Sequence, residues 1–253
     1  MLGKNKIVCI AGTNECSIKS LEYLLKKKNK KFDILALPDK SDKSIDGWQP
    51  SFRKFVKKKN VKITTLNNLY KLKNLYLFSL EFRDLLNVNS FKSKKLFNIH
   101  FSLLPKYRGC HTNFLQVFNG EKKTGVTLHR IEKGIDTGKI VDKIIFSIRI
   151  NDTSFKNYNK LMKYSFLIFK KNFNKIINEN YMLKKQNLNK GSYFSRNSVD
   201  YNKIKILDRI KHNFKTHNRI RALIFPPFQL PIYKGRKIIK SIYKNNKIKL
   251  IYK

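Results

Sequence analysis

Five strand-length runs, four of them mostly apolar, set the limits on this chain's fold: Lys6 to Ala11, Phe32 to Leu37, Val61 to Thr65, Leu75 to Leu80 and Phe97 to Phe101. Each has the length of a strand, and near-continuous apolar runs belong to strands buried on both faces, as in parallel sheets. Helical periodicity fills much of the space between them. Ser17 to Lys28 places Ile18, Leu21, Leu24 and Leu25 on one face, and Ser51 to Asn60 is a second helical stretch. Alternating strand and helix predicts an α/β fold with a mostly parallel, twisted sheet and right-handed crossovers. Ligands in such sheets sit at the carboxyl ends of the strands, which directs attention to Leu80 onward and His100 onward. The first turn, Ala11-Gly12-Thr13-Asn14, lacks G-x-G-x-x-G, so the opening is not a dinucleotide fingerprint.

The polar groups suited to chemistry concentrate between Phe97 and Asp142. Asn98 and His100 lie two residues apart at the end of a strand, hence on one side of it. Pro105 then ends any ladder and restricts Leu104. Arg108-Gly109 offers a cation and a turn, and Gly134-Ile135-Asp136-Thr137-Gly138 is a loop with a glycine on each side of one carboxylate. An amide, an imidazole and a carboxylate suffice for acyl transfer to an amine. The imidazole takes the proton, the amide steadies an oxyanion, and the carboxylate orients the imidazole. A zinc site is not expected, because no second His or Cys ligand stands beside His100 in the sequence. Ser102 lacks the elbow glycines of a hydrolase nucleophile. His111 and His129 read as surface or substrate-side groups.

Asn98-x-His100, the following Ser102-Leu103-Leu104-Pro105-Lys106-Tyr107-Arg108-Gly109, the Gly125-Val126-Thr127 strand after Glu121, and Asp136-Thr137-Gly138 closely resemble the folate-dependent formyltransferases. That family includes glycinamide ribonucleotide, methionyl-tRNA and amino-sugar formyltransferases. The resemblance implies a Rossmann-like catalytic domain, 10-formyltetrahydrofolate as formyl donor, and Asn98, His100 and Asp136 as the catalytic trio. It places the folate pocket at the turn after Leu75–Leu80 and along the loop from Arg130 to Asp136. The cofactor candidates are Phe78, Leu80, Glu81, Phe82, Arg83, Leu85, Leu104, Arg130, Ile131, Gly134 and Ile135. On the acceptor side the candidates are Trp48, Ser102, Lys106, Tyr107, Arg108, Gly109 and Asn113; Trp48 could stack on a ring and Arg108 could hold a phosphate in two places. Transfer is expected to be direct, with no covalent enzyme intermediate and no metal.

Beyond the motifs, Thr112 to Asn119 reads as a helix closed at Gly120, and Thr124 to Ile131 and Lys139 to Ile150 as strands. Asn151-Asp152-Thr153 caps a long helix whose Tyr158, Leu161, Met162, Ser165, Phe169, Phe173 and Ile176 recur at helical spacing. Residues 179 to 203 read as irregular and Tyr201 to Phe214 as a short helix. A stiff corner, Phe225 to Pro231, leads to a hairpin of Ile232 to Tyr243 and Ile248 to Tyr252, turning at Asn245-Asn246. The expected division is a formyltransferase domain at 1–180 and a linker with a small β-hairpin appendage at 181–253. That tail resembles those of enzymes acting on nucleotide-linked amino sugars, such as an amino-dideoxyhexose destined for a surface polysaccharide. It is too short for the C-terminal barrel of the methionyl-tRNA enzymes. It also suggests a homodimer contact.

The net charge of +40 invites a nucleic-acid reading. The bias is to 46 Lys over only 10 Arg, with 27 Asn, which matches AT-rich coding better than base or phosphate recognition. The lysines are also scattered along the chain. Nucleic acid is therefore not an expected partner, and an inactive nucleic-acid-binding homologue is the rival reading. No apolar run approaches the ~20 residues of a membrane span. Three cysteines without metal spacing fit a reducing, cytoplasmic location.

Overall fold

The computed structural model describes residues 5–27 and 31–253. In chain order it runs β1 (Lys6–Gly12), α1 (Glu15–Leu25), β2 (Phe32–Pro38), α2 (Phe52–Lys58), α3 (Leu66–Tyr70), β3 (Leu75–Leu80), β4 (Lys95–His100), β5 (Arg108–Gly109), α4 (Thr112–Phe118) and β6 (Lys123–Arg130). Then follow β7 (Ile140–Ser147), α5 (Ser154–Ile177), β8 (Tyr193–Phe194), α6 (Tyr201–Ile204), β9 (Ile206–Leu207), α7 (Phe214–Leu223), β10 (Ile232–Tyr233), β11 (Arg236–Lys244) and β12 (Lys247–Tyr252). The chain divides into two compact units that interleave in sequence. One comprises 1–100, 126–143 and 162–186; the other comprises 101–125, 144–161 and 187–253.

The first unit is built on the larger sheet, in the order β2-β1-β3-β4-β6-β7. β1 pairs in parallel with β2 and β3, and β3 with β4; β6 runs antiparallel to β4. The mostly parallel α/β architecture is as the apolar runs imply. Alternate residues of β1 serve opposite faces. Ile7, Cys9 and Ala11 join Leu35, Leu37, Leu75, Leu77 and Leu96 in one apolar layer. Opposite, Phe78 stacks on Phe97 at 5.3 Å and meets Phe169 of α5 edge-on at 5.1 Å. Gly12 closes the first turn because a Cβ there would sit 2.0 Å from Ser17 Oγ and 2.5 Å from the Leu80 carbonyl. The helix after it starts earlier than the apolar periodicity suggests, since the Asn14 side chain accepts from Cys16 N–H and caps it. Lys28, the expected helix end, lies outside the described residues.

Val61 to Thr65 does not form a strand. Only Ile63 bridges, to Ala36, and Thr65 already caps α3 through Asn68 N–H. No helix among the described residues is long and apolar enough to cross a membrane.

The second unit contains the small sheet β12-β11-β10-β9 and the pair β5-β8. The expected strand Ile232 to Tyr243 is broken at Lys234-Gly235, where both residues have positive φ, giving an extra short hairpin of β10 and β11. Asn245 and Asn246 turn the next hairpin at φ 49 and 55, left-handed values that Asn tolerates. The helix expected at Tyr201 to Phe214 shrinks to α6, and a longer one, α7, follows it. Ile220, Leu223 and Ile224 of this stretch are buried, as are His217, Asn218 and Arg221.

Candidate active site

β4 and β6 build the centre of the site. Their antiparallel register sets Asn98 opposite His129 and His100 opposite Thr127. Directly opposed residues share a face, so all four side chains lie on one side of the sheet. The loop after β6 returns Asp136 to that side. Its carboxylate lies 3.4 Å from His100 Nδ1 and 3.5 Å from His129 Nε2, and Asn98 Nδ2 donates to it at 3.3 Å. Asn98, His100 and Asp136, singled out in the sequence by three separate signals, are thus brought together.

The hydrogen-bond partners assign one ring hydrogen. His129 Nδ1 lies 2.8 Å from the Arg130 carbonyl, which can only accept, so Nδ1 carries a hydrogen. His129 Nε2 can then accept from Asn98 Nδ2 at 3.2 Å. Nδ1 of His100 is turned to the carboxylate, and Nε2 is the ring's other basic nitrogen. At 3.2 and 3.3 Å the amide bonds of Asn98 are long, so one hydrogen can be handed to an incoming oxygen at low cost.

His129 corrects the expectation of a surface group: it is 2% exposed and lies in the cluster. It also supplies the second imidazole that the sequence argument against zinc lacked. Its Nε2 is nevertheless engaged with Asn98, and among the described residues no group of three or more His, Cys, Asp or Glu is arranged to hold a metal ion. The local signal for His129 was its alternation with Thr127; the strand register, which alternation does not encode, decides the rest. His111 is half-buried, with Nε2 donating to the Arg196 carbonyl.

The two segments that the resemblance assigns to folate adjoin β4. Ser79 of β3 pairs with Asn98, and Arg130 of β6 pairs with Phe97. Phe78, Leu80 and Leu104 are buried, Phe82 and Ile131 pack partly against the apolar layer, and Leu85 and Ile135 are exposed at 79% and 39%. Glu81 has φ 59 and accepts from Asn14 Nδ2, while the Arg83 N–H donates to Asp39. Arg130 lies over the Phe97 ring at 5.3 Å, and Gly134 has φ 99. Trp48 is partly exposed in its loop.

Of the acceptor-side candidates, all but Trp48 belong to the second unit, as does Leu104. Ser102 is buried and donates to the Lys106 carbonyl. The Tyr107 ring is buried, and its hydroxyl donates to Glu121 and accepts from Asn119; burial pushes that phenol up to about 12. Arg108 Nε is buried with no hydrogen-bond partner. Gly109, at φ 86, has Phe194 O where a Cβ would stand, and the Asn113 carbonyl accepts from Asn157. Lys106, Tyr107, Asn119, Glu121 and Lys190 line a cavity of about 230 Å³.

A family model described as formyl transferase matches residues 86–169. The chain is 37% identical over 163 residues to the bifunctional polymyxin resistance protein ArnA of Wigglesworthia glossinidia brevipalpis, which covers 64% of this chain and 24% of that protein. Across the curated relatives it matches first, the chain spans 24% to 54% of their length. Two solved structures are similar along nearly all of it. WlaRD, a sugar 3N-formyl transferase in the presence of dTDP and 5-N-formyl-THF, is 44% identical with a TM-score of 0.88, covering 96% of this chain and 88% of that one. The N-formyltransferase from Helicobacter canadensis, in complex with folinic acid and dTDP-3-aminofucose, is 44% identical with a TM-score of 0.87, covering 94% and 88%. With this likeness over most of a solved relative's length, the chain belongs to the formyl transferase family.

Proposed function

We propose that this chain is an N-formyltransferase that moves a formyl group from 10-formyltetrahydrofolate to the amine of a nucleotide-linked amino-dideoxy sugar. The nucleotide we propose is dTDP and the amine that at sugar carbon 3. One observation carries the reading: Asp136 lies within 3.4 Å of both Asn98 and His100 in a chain 44% identical to two proteins described with a formyl-folate and with dTDP or dTDP-3-aminofucose. The donor would lie along Leu80–Arg83 and Arg130–Asp136. Those segments flank β4, with exposed apolar Ile135 in the second and Leu85 just beyond the first, which suits a flat ring with hydrogen bonds at its edge. The folate supplies an activated formyl carbon.

His100 accepts the amine proton at Nε2 and returns it to the departing nitrogen. Asn98 gives an amide hydrogen to the formyl oxygen as charge builds there, a contribution of roughly 3–4 kcal/mol for one such donor. Asp136 holds His100 in the tautomer with Nδ1–H. Lys106 and Lys190 at the cavity, together with Arg108, are the cations offered to a diphosphate. We assign the transfer chemistry to residues 1–180 and treat 181–253 as linker and appendage. Three free thiols suit the cytoplasm.

The test measures folate release with dTDP-3-amino, dTDP-4-amino and GDP-linked sugars, glycinamide ribonucleotide and charged initiator tRNA. The dTDP-3-amino sugar should be the best acceptor, and preference for charged tRNA would overturn the acceptor assignment. The charge of +40 favours the rival, a nucleic-acid-binding homologue. Tight RNA binding across a salt series, with no transfer to any acceptor, would establish it. Chelation should leave the rate unchanged, because an activated formyl group needs only a base and an oxyanion donor. Loss of activity with EDTA and its return with zinc would refute this.

We also propose that residues 204–253 carry a homodimer contact. Ile206, Phe228, Ile239 and Ile251 are exposed on this segment, with Phe228 at 65%. Deleting residues 220–253 removes the buried Ile220, Leu223, Ile224 and Ile238 and should lower the melting temperature. Full-length protein should sediment as a dimer; a monomer, or a truncated protein that melts and sediments like full length, would contradict this account.

A further inference from the structure

The backbone of the Asp136 loop is gripped by a residue outside every motif. Gln186 Nε2 donates to the Asp136 carbonyl at 2.9 Å and to the Gly138 carbonyl at 2.7 Å. The segment that delivers it is itself anchored. Lys184 and Ile140 exchange two backbone hydrogen bonds of 2.8 Å, so the chain after α5 adds one bridge beside β7 and stops at the loop. The base of the loop is closed by Arg130 N–H donating to the Lys139 carbonyl at 2.8 Å. It is so tight that a Cβ on Gly138 would lie 1.8 Å from the Arg130 carbonyl.

Asp136 needs such a hold. Its φ of 54 is left-handed, a conformation open to Asp but more costly than extended backbone, so a hold on the flanking peptides favours it. Rotation of the peptides on either side would swing the carboxylate away from His100 and Asn98. One amide nitrogen spans both carbonyls and so locks the backbone at Asp136 and two residues on. The amide cannot be reversed, since its oxygen would then face two carbonyl oxygens. Its own oxygen is buried with no hydrogen-bond partner, which costs stability.

We infer that Gln186 is a positioning residue that holds the Asp136 backbone so that the carboxylate stays on His100 and Asn98. Its effect on turnover rests on the transfer reading above; its effect on His100 does not. The test compares full-length wild type, Gln186→Met, which keeps length and removes the donor, and Gln186→Glu, which sets a carboxylate against two carbonyls. In Gln186→Met, kcat should fall roughly 10- to 100-fold, the size of loss that a small misplacement of catalytic groups produces. The KM for the amino sugar should stay within about threefold, as for an interaction that acts in the transition state. The 15N resonances of the His100 imidazole in the unliganded protein should move, and Gln186→Glu should lose at least as much activity. Unchanged kcat, or a loss of kcat that tracks a lowered melting temperature while the His100 resonances stay put, would overturn the inference. Shifted His100 resonances in a protein whose wild type transfers no formyl group would keep the inference and remove the transfer reading.

Discussion

His100→Ala is expected to lower formyl turnover by about 10²- to 10⁴-fold, the range for loss of a positioned general base. The protein should stay folded, because the backbone ladder of β4 is unchanged and the lost ring packs against polar neighbours rather than the apolar layers. Asp136→Asn is the matching probe of the carboxylate. Asn tolerates the left-handed backbone that Asp136 adopts at φ 54, so the variant removes charge and not conformation. It should also lose most turnover. Steady-state folate release, with circular dichroism and thermal melts as controls, decides the matter. A folded His100→Ala protein with wild-type turnover would remove His100 from the proposed chemistry.

Arg221→Ala should cost the fold about 3–5 kcal/mol, as for breaking a buried charged network from one side. Arg221 is 1% exposed. Its guanidinium donates to Asn218 Oδ1 at 2.8 Å and to the carbonyls of Asp152 and Arg149 at 2.7 and 3.2 Å. Burial pushes the guanidinium down to about 10 against the attraction of Asp152. Removing it orphans those acceptors, opens a cavity and takes a nearby cation from the buried Asp152 carboxylate, which keeps Lys156, Lys160 and the Arg149 N–H. The melting temperature should drop by about 10 °C or more. Arg221→Lys should recover only part of this, since one ammonium cannot replace a planar fork. A melt equal to wild type for Arg221→Ala would show that the network contributes nothing.

What could be read from sequence followed from local periodicity. Asn98 and His100 were legible because two-residue spacing in a strand fixes a shared face, and Pro105 marks where that strand must end. Asn245-Asn246 was legible because few residue pairs accept two successive left-handed conformations. The helix α5 was legible from its buried stripe. What was missed depends on partners remote in sequence. The helix α7 hides its apolar face, because His217, Asn218 and Arg221 are buried by finding partners elsewhere: His217 with Ser241 and the Ile150 carbonyl, Arg221 with Asp152. The β-branched run Val61 to Thr65 has strand propensity, but Thr65 is drawn into capping α3. His129 enters the cluster through an antiparallel register, and Gln186 follows the single bridge of Lys184 to Ile140. Alternation with Thr127 marks the face of His129 but not its register, and Gln186 leaves no local pattern.

The pairing of β4 with β6 makes the site a matter of odd and even. Asn98, His100, Thr127 and His129 hold one face only while both strands keep their count from the turns that begin them. A single inserted or deleted residue between Phe97 and His100 would send the imidazole or the amide to the opposite layer, among Phe78 and Phe169. Two residues would return it to the correct face, displaced by one pleat, about 6–7 Å along the strand. Length changes in this chain can therefore be absorbed in the turns that join its strands, whereas within these two strands even a one-residue change acts as a full knockout of the site.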